Sequence, residues 1–263
     1  MNLALIFAGG VGKRMGNSGM PKQFLKLYGK EIIVYTLEIF ENNENIDGIV
    51  ISCLEEKIEL LKELIVKYRF KKVKSIVPGG ITGQESIYNG LKELEKYYSK
   101  EDIVLIHDGV RPLINNETVD NNIKTVRQKG NAITTTPAIE TIIKLEDKKD
   151  VIKDIFNRSE CYMARAPQSF FLGDILEKHR KAIKDKKNDF IDSASLMSYY
   201  GESLNILNGP VENIKITTPS DFYIFKAILD MKENLNIFGL WERGRNVKLL
   251  QKNCSRWHGR YIW

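Results

Sequence analysis

Over its first 110 residues the chain alternates short apolar runs rich in branched residues with amphipathic stretches, and this alternation restricts the fold more than any other feature. Residues 3–8, 48–54, 72–77 and 103–107 are apolar runs of strand length, each suited to a strand covered on both faces. Between residues 57 and 68, Ile58, Leu60, Leu61, Leu64, Ile65 and Tyr68 recur at three-to-four spacing, and Ile87, Leu91, Leu94 and Tyr97 do the same between 86 and 98. Strand and helix alternating in this way predict an α/β fold, a Rossmann-like and mostly parallel sheet with flanking helices. Ligands of such sheets bind beyond the carboxyl ends of the strands.

After Asn131 the pattern loosens. Residues 132–136 and 141–145 read as strands, and the charged run 146–154 reads as an exposed turn, so a β-hairpin arm protrudes over about residues 137–160 and offers a dimerisation contact. Residues 172–184 and 193–200 read as helices, 203–207 and 213–217 as strands, and 221–231 as a closing helix. Thr82-Gly83-Gln84-Glu85 has the form of a capping box. Thr218-Pro219-Ser220-Asp221 has the form of a helix start with proline at the first helical position, which gives Asp221 a structural role. No internal repeat divides the chain. One domain is expected over residues 1–240, followed by a basic, aromatic tail over 241–263.

The 263 residues are 43% hydrophobic and 28% charged, enough to bury a core without disulfides or a structural metal. No run approaches the ~20 apolar residues of a membrane span, and the start lacks the flanks of a signal peptide. Cys53, Cys161 and Cys254 are widely spaced, with no CxxC pair, and read as reduced thiols in a cytoplasmic protein. The net charge of +6 is concentrated: the tail from Trp241 holds six Lys/Arg against Glu242, leaving 34 basic and 33 acidic residues elsewhere. A general nucleic-acid surface is therefore not expected. The tail reads either as a variable extension or as a contact for an anionic membrane or partner.

The loop after the first apolar run is Ala8-Gly9-Gly10-Val11-Gly12-Lys13-Arg14-Met15-Gly16, followed by Pro21-Lys22-Gln23-Phe24-Leu25. Closely spaced glycines let backbone N–H groups approach an anion, and Arg14 and Lys22 add two cations of different reach. No Walker string GxxxxGK occurs, and the spacing GxGxxxG departs from the dinucleotide fingerprint, which disfavours hydride transfer. A loop wrapping a nucleoside triphosphate remains.

Together with His107-Asp108-Gly109-Val110-Arg111-Pro112, a PGG string with a following Ser86, Ala166-Pro167-Gln168-Ser169-Phe170 and Asn213-Ile214-Lys215-Ile216-Thr217-Thr218-Pro219, these motifs resemble the cytidylyltransferases that join a sugar or polyol phosphate to CTP, the methylerythritol phosphate cytidylyltransferase-like family. The resemblance covers about residues 1–240. It implies that Ala8, Gly9, Gly10, Gly12 and Lys13 hold the CTP phosphates, that Arg14, Lys22 and Lys215 are catalytic, with Lys215 at the end of a late strand, and that Gly80 and Ser86 meet cytosine and ribose. It places Asp108 and Arg111 between nucleotide and acceptor, Thr141 and Arg158 near the acceptor phosphate with Arg158 reaching across a homodimer, and Asp192 at the acceptor. Asp108 is the carboxylate implied beside Mg2+, with CTP and a polyol phosphate as the small-molecule partners.

The strings HDGVRP, ARAPQSF and NIKITTP resemble the ribitol-phosphate branch, implying D-ribitol 5-phosphate as acceptor. The alternatives are 2-C-methyl-D-erythritol 4-phosphate and, from another class, a non-catalytic nucleotide sensor. Two departures stand out: Gly83 where the family commonly has arginine, and Ile191 where threonine is often seen before the aspartate.

Overall fold

A computed structural model describes residues 1–9, 20–147 and 150–242, with side chains through residue 234. The chain resolves into two units, Met1–Pro219 and Ser220–Trp263.

The first unit runs β1 (Asn2–Ala8), a small hairpin of β2 (Lys26–Leu27) and β3 (Lys30–Glu31), α1 (Ile32–Asn42), β4 (Gly48–Cys53), α2 (Ile58–Lys67), β5 (Val73–Pro78), α3 (Gly83–Glu95), β6 (Ile103–Asp108), α4 (Asn116–Lys129) and β7 (Asn131–Pro137). It continues through β8 (Ile143–Leu145), β9 (Ile152–Ile155), β10 (Tyr162–Phe171), α5 (Leu172–Lys184), α6 (Ser193–Tyr199) and β11 (Ile206–Asn208). The main sheet has seven strands in the order β11-β7-β10-β6-β1-β4-β5. All its pairs are parallel except those of β10, which runs against both β6 and β7. The Rossmann-like, mostly parallel architecture expected from the sequence is the one observed.

Strand alternation divides the core between the two faces of this sheet. From β1, Ala4, Ile6 and Ala8 join Leu37 and Phe40 of α1 and Val119 and Ile123 of α4 on one face. Leu3 and Leu5 join Leu91 and Leu94 of α3 and Ile175 and Leu176 of α5 on the other. Burial on both faces is why β1, β4 and β6 lack a polar alternation. β5 departs from that expectation. It is an edge strand, and most of its residues are only half-buried.

Helix ends follow local chemistry. Asn115 caps α4 by accepting from the Thr118 N–H at 2.9 Å, and Gly130 closes the helix at φ +89°. Thr82 caps α3 by accepting from the Glu85 N–H at 3.1 Å, but Glu85 turns its carboxylate to the Ile81 N–H at 2.7 Å, so only half of the expected capping box forms. The full box occurs at α6, around Asp192 and Ser195.

Three readings of the later chain are corrected. Residues 213–217 are not a strand: the Ile214 N–H closes a local turn on the Glu212 carbonyl, the Ile216 N–H bonds the Val110 carbonyl, and the segment is irregular throughout. Lys215 therefore sits on an irregular segment. The strand expected at 203–207 begins at Ile206, because the Asn131 side chain takes the Ser203 carbonyl and the Asn205 N–H. The hairpin arm is present as β8 and β9, yet β8 starts only at Ile143.

α7 (Pro219–Glu242), all but its first residue in the second unit, opens with proline and runs well past residue 231. Lys226 and Asp230 pair along it at 2.8 Å. Among the described residues no helix is long and apolar enough to cross a membrane. Cys53 is buried, which pushes its thiol up to about 12, and Cys161 is half-buried; Cys254 and most of the tail from 241 lie outside the described residues.

One buried amide ties the reversed strand into the fold. Asn122 of α4 donates to the Thr118 carbonyl at 2.8 Å and to Thr134 Oγ1 of β7 at 3.0 Å, and accepts from Ser169 Oγ of β10 at 2.8 Å. Asn122→Ala orphans two buried hydroxyls and is expected to cost about 1–3 kcal/mol, read as a lower urea midpoint with an unchanged slope. A midpoint equal to that of the parent protein would show that these bonds carry no net stability.

Candidate functional site

The strand order reverses beside β1. The chain leaves β1 for β4 and β5 on one side and returns to β6 on the other, so the carboxyl ends of β1 and β6 flank a crevice. Phe7 lies opposite Asp108 in the β1–β6 register. A cavity of about 270 Å³ opens there, with Phe7, Asp108, Arg111, Arg165, Gln168 and Lys215 among its walls.

Asp108 is its electrostatic centre. One carboxylate oxygen accepts from Arg111 Nε at 2.8 Å and the other from Lys215 Nζ at 2.5 Å. Burial alone would raise its pKa, but the two cations and their hydrogen bonds prevail and hold it down to about 2. Arg111 also donates Nη1 to the Asn213 carbonyl at 2.9 Å, Asn213 Nδ2 donates to the Ala166 carbonyl at 2.7 Å, and the Ile216 N–H reaches Val110. Lys215, 39% exposed at its side chain, passes over the Phe7 ring at 5.7 Å.

Next to the ion pairs, His107 is wholly buried. Its Nε2 lies 3.1 Å from the Arg111 carbonyl, an acceptor only, so Nε2 carries the proton. Desolvation lowers its pKa to about 4. The imidazole is thus neutral and props the turn that carries Arg111.

Across the crevice, Gln23 Nε2 donates to the Ala8 carbonyl at 2.7 Å, tying the short helical turn of Lys22–Phe24 to the end of β1. Lys22 is half-buried beside it. Gly9 is dictated by close approach: a Cβ there would lie 2.8 Å from Ser86 Oγ. Ser86, at the start of α3, accepts from the Gly80 N–H at 2.9 Å and donates to the Thr82 carbonyl at 2.9 Å. Its hydroxyl holds the loop after β5 against the end of β1.

The structure thus gathers Asp108, Arg111 and Lys215 in one cluster, and Ala8, Gly9, Gly80 and Ser86 around the neighbouring strand ends. Gly10, Gly12, Lys13 and Arg14 lie outside the described residues. Thr141 and Arg158 are not brought to the cavity; both are exposed on the hairpin arm, where Arg158 Nη1 reaches the Ile139 carbonyl at 3.4 Å. Asp192 lines the cavity while capping α6, accepting from the Ser195 N–H at 2.8 Å and from Gln168 Nε2 at 2.9 Å. Gly83 faces open space, and Ile191 is 96% exposed.

Sequence reasoning missed Arg165, Gln168 and His179 as walls of this cavity. The signal for the first two was available: ARAPQ puts a cation and an amide between small residues on what proves to be β10. His179 gave none. It lies in the middle of an amphipathic helix, stacked on Tyr88 with a ring separation of 5.8 Å.

Among the described residues no group of three or more His, Cys, Asp or Glu could cage a metal ion. A single carboxylate held ionised at neutral pH nevertheless fits Mg2+, which usually takes one or two carboxylates and otherwise phosphate oxygens and water. Asp108 would be that carboxylate, with the lone pairs not taken by Arg111 and Lys215 as the protein donors.

Residues 2–231 match the family model described as IspD: 2-C-methyl-D-erythritol 4-phosphate cytidylyltransferase. The chain is 56% identical over 239 residues to the ribitol-5-phosphate cytidylyltransferase of Vibrio parahaemolyticus, covering 91% of this chain and 100% of that one. It is 40% identical over 229 residues to a 2-C-methyl-D-erythritol 4-phosphate cytidylyltransferase of Clostridium botulinum, covering 87% and 97%. The crystal structure of 4-diphosphocytidyl-2C-methyl-D-erythritol synthase from Anaerococcus prevotii superimposes with a TM-score of 0.75 at 26% identity, over 87% of this chain and 96% of that one.

The buried titrating groups around the cavity contribute to how the fold responds to acid. Desolvation lowers His107 and His179 to about 4, against 6.5 for a free imidazole. Their contribution to stability is full above pH 6.5 and is lost as the pH falls toward 4, because the unfolded chain takes up protons that the fold refuses. Asp108, at about 2 against 3.8, adds a second limb that is full above pH 3.8 and lost as the pH falls toward 2. His179→Phe keeps the ring stack and is expected to flatten the upper limb in urea titrations between about pH 7 and 5. An identical slope in parent and variant would rule out this role for His179.

Proposed function

The chain belongs to the 2-C-methyl-D-erythritol 4-phosphate cytidylyltransferase family, and on that premise we propose that it transfers CMP from CTP to D-ribitol 5-phosphate, releasing pyrophosphate and forming CDP-ribitol. The end-to-end match to the Vibrio parahaemolyticus enzyme carries the choice of acceptor, well ahead of the similarity to the methylerythritol branch. CDP-ribitol is an activated precursor for teichoic acid or capsule polymers, and the reaction would be cytoplasmic.

The chemistry needs charge management more than proton transfer. A phosphomonoester has its second pKa at about 6, so the acceptor phosphate is mostly a dianion at neutral pH and already nucleophilic. One of its oxygens attacks the α-phosphorus of CTP, the bond from that phosphorus to the bridging oxygen of the β-phosphate breaks, and pyrophosphate leaves with the electron pair. Repulsion between the two anions and the charge growing on the leaving group oppose the step. Arg14, Lys22 and Lys215 meet that charge, and Asp108 and Arg111 keep Lys215 in place. Mg2+, when bound, neutralises and polarises phosphate oxygens. A pocket that only sensed nucleotide would have no use for cations aimed at a departing pyrophosphate.

The arm supports a homodimer. β8 and β9 form an isolated two-stranded ribbon, which is marginal alone in water, and Ile143, Leu145, Ile152, Ile155 and Phe156 are all roughly half exposed or more. In this reading Arg158 completes the acceptor site of the neighbouring subunit.

Pyrophosphate release from CTP and Mg2+ with ribitol 5-phosphate, methylerythritol 4-phosphate or no acceptor, and with ATP, GTP and UTP as controls, tests the assignment. Turnover with CTP and ribitol 5-phosphate alone is expected; preference for methylerythritol 4-phosphate would keep the chemistry and reject the acceptor. Lys22→Ala should lower kcat about 100- to 1,000-fold with the circular dichroism spectrum unchanged. Mixing Lys22→Ala with Arg158→Ala subunits is expected to restore turnover that neither has alone, and a mixture as inactive as its parts would reject the shared site.

A further inference from the structure

Among the described residues three cations line the cavity, and two are committed. Arg111 spends Nε on Asp108 and Nη1 on the Asn213 carbonyl, and Lys215 spends Nζ on the other Asp108 oxygen. Arg165 differs. It sits on β10, half-buried, and its Nε meets Thr136 Oγ1 at 3.3 Å, but among the described residues no carboxylate lies within ion-pair distance of it. The other carboxylate of the cavity, Asp192, is occupied by the Ser195 N–H and by Gln168.

A guanidinium partly stripped of water, with no counter-ion and a second guanidinium nearby, is unfavourable until an anion arrives. Its fork of donors matches two oxygens of a phosphate. The sheet order decides which phosphate. β10 lies beyond β6, whereas the glycine-rich loop follows β1 and the Gly80–Ser86 corner follows β5, on the other side. Nucleotide and Arg165 therefore approach the reaction centre from opposite sides of β6.

We propose that Arg165 binds the phosphate of the acceptor, taking the oxygens that do not attack the α-phosphorus. This rests on the cytidylyltransferase reading above and adds a residue that sets acceptor affinity. Burial and the neighbouring Arg111 hold the guanidinium pKa below its ordinary value, a penalty that a bound dianion relieves while arginine remains charged.

Arg165→Gln and Arg165→Lys test it. Glutamine keeps hydrogen bonding to hydroxyls and loses the charge; lysine keeps the charge. In the pyrophosphate assay Arg165→Gln should raise KM for ribitol 5-phosphate about 10- to 100-fold, as expected for losing a charged hydrogen bond, with KM for CTP within about threefold of the parent. Arg165→Lys should recover most of that loss. Calorimetry on the same proteins should show binding of ribitol 5-phosphate and of inorganic phosphate weakened in parallel by glutamine. Unchanged acceptor KM and anion binding, or equal rises in both KM values, would overturn the proposal. A parent protein that turns over no acceptor would overturn the functional reading instead, and the calorimetry would still decide the role of Arg165.

Discussion

A single buried carboxylate organises the crevice. Asp108 sits at the last position of β6, and the two cations that neutralise it come from the turn just after the strand and from an irregular segment some hundred residues later. Residues 213–217 have no strand pairing to locate them. They are positioned by Lys215 on Asp108, by Arg111 on the Asn213 carbonyl and by the Ile216 N–H on Val110. Buried ion pairs are often a poor source of net stability, because desolvation offsets the attraction. Here the arrangement fixes the Lys215 ammonium in the cavity wall, and the neutral His107 behind it supports the turn without adding charge.

Much of this was legible in the chain. Strands buried on both faces leave apolar runs that need no tertiary knowledge to find, and β1, β4 and β6 were visible for that reason. β10 was not, since its ten residues mix Tyr, Arg, Ala, Pro and Gln, and its pattern changes from exposed to buried along its length. The segment around Lys215 failed in the opposite sense. Ile214 and Ile216 alternate with polar residues as in a strand, yet its backbone groups go to the Asp108 turn and to the chain's own local bends.

The site was legible to the extent that its chemistry lies in local strings. HDGVR encodes the Asp108–Arg111 pair within one turn, and PKQF encodes the tether of Gln23 to Ala8. Arg165 escaped notice because a lone arginine between alanines has no local partner to advertise it. Its environment arises only when β10 docks between β6 and β7, a contact whose register a one-dimensional pattern does not contain. Asp192 was read as an acceptor contact from resemblance, and the structure gives it a capping role that would exist without any ligand.

The reversed direction of β10 has a wider consequence. In a wholly parallel sheet, ligands meet loops beyond the strand ends, and the residues inside the strands are spent on the core. A strand entering from the ligand end presents its own first half there: Ala164 still pairs with Thr135, Arg165 and Ala166 fall in the irregular stretch beside the cavity, and pairing resumes at Gln168 before the chain descends into the core at Phe170. A side chain in that stretch can be exchanged without breaking the ladder pairs on either side of it.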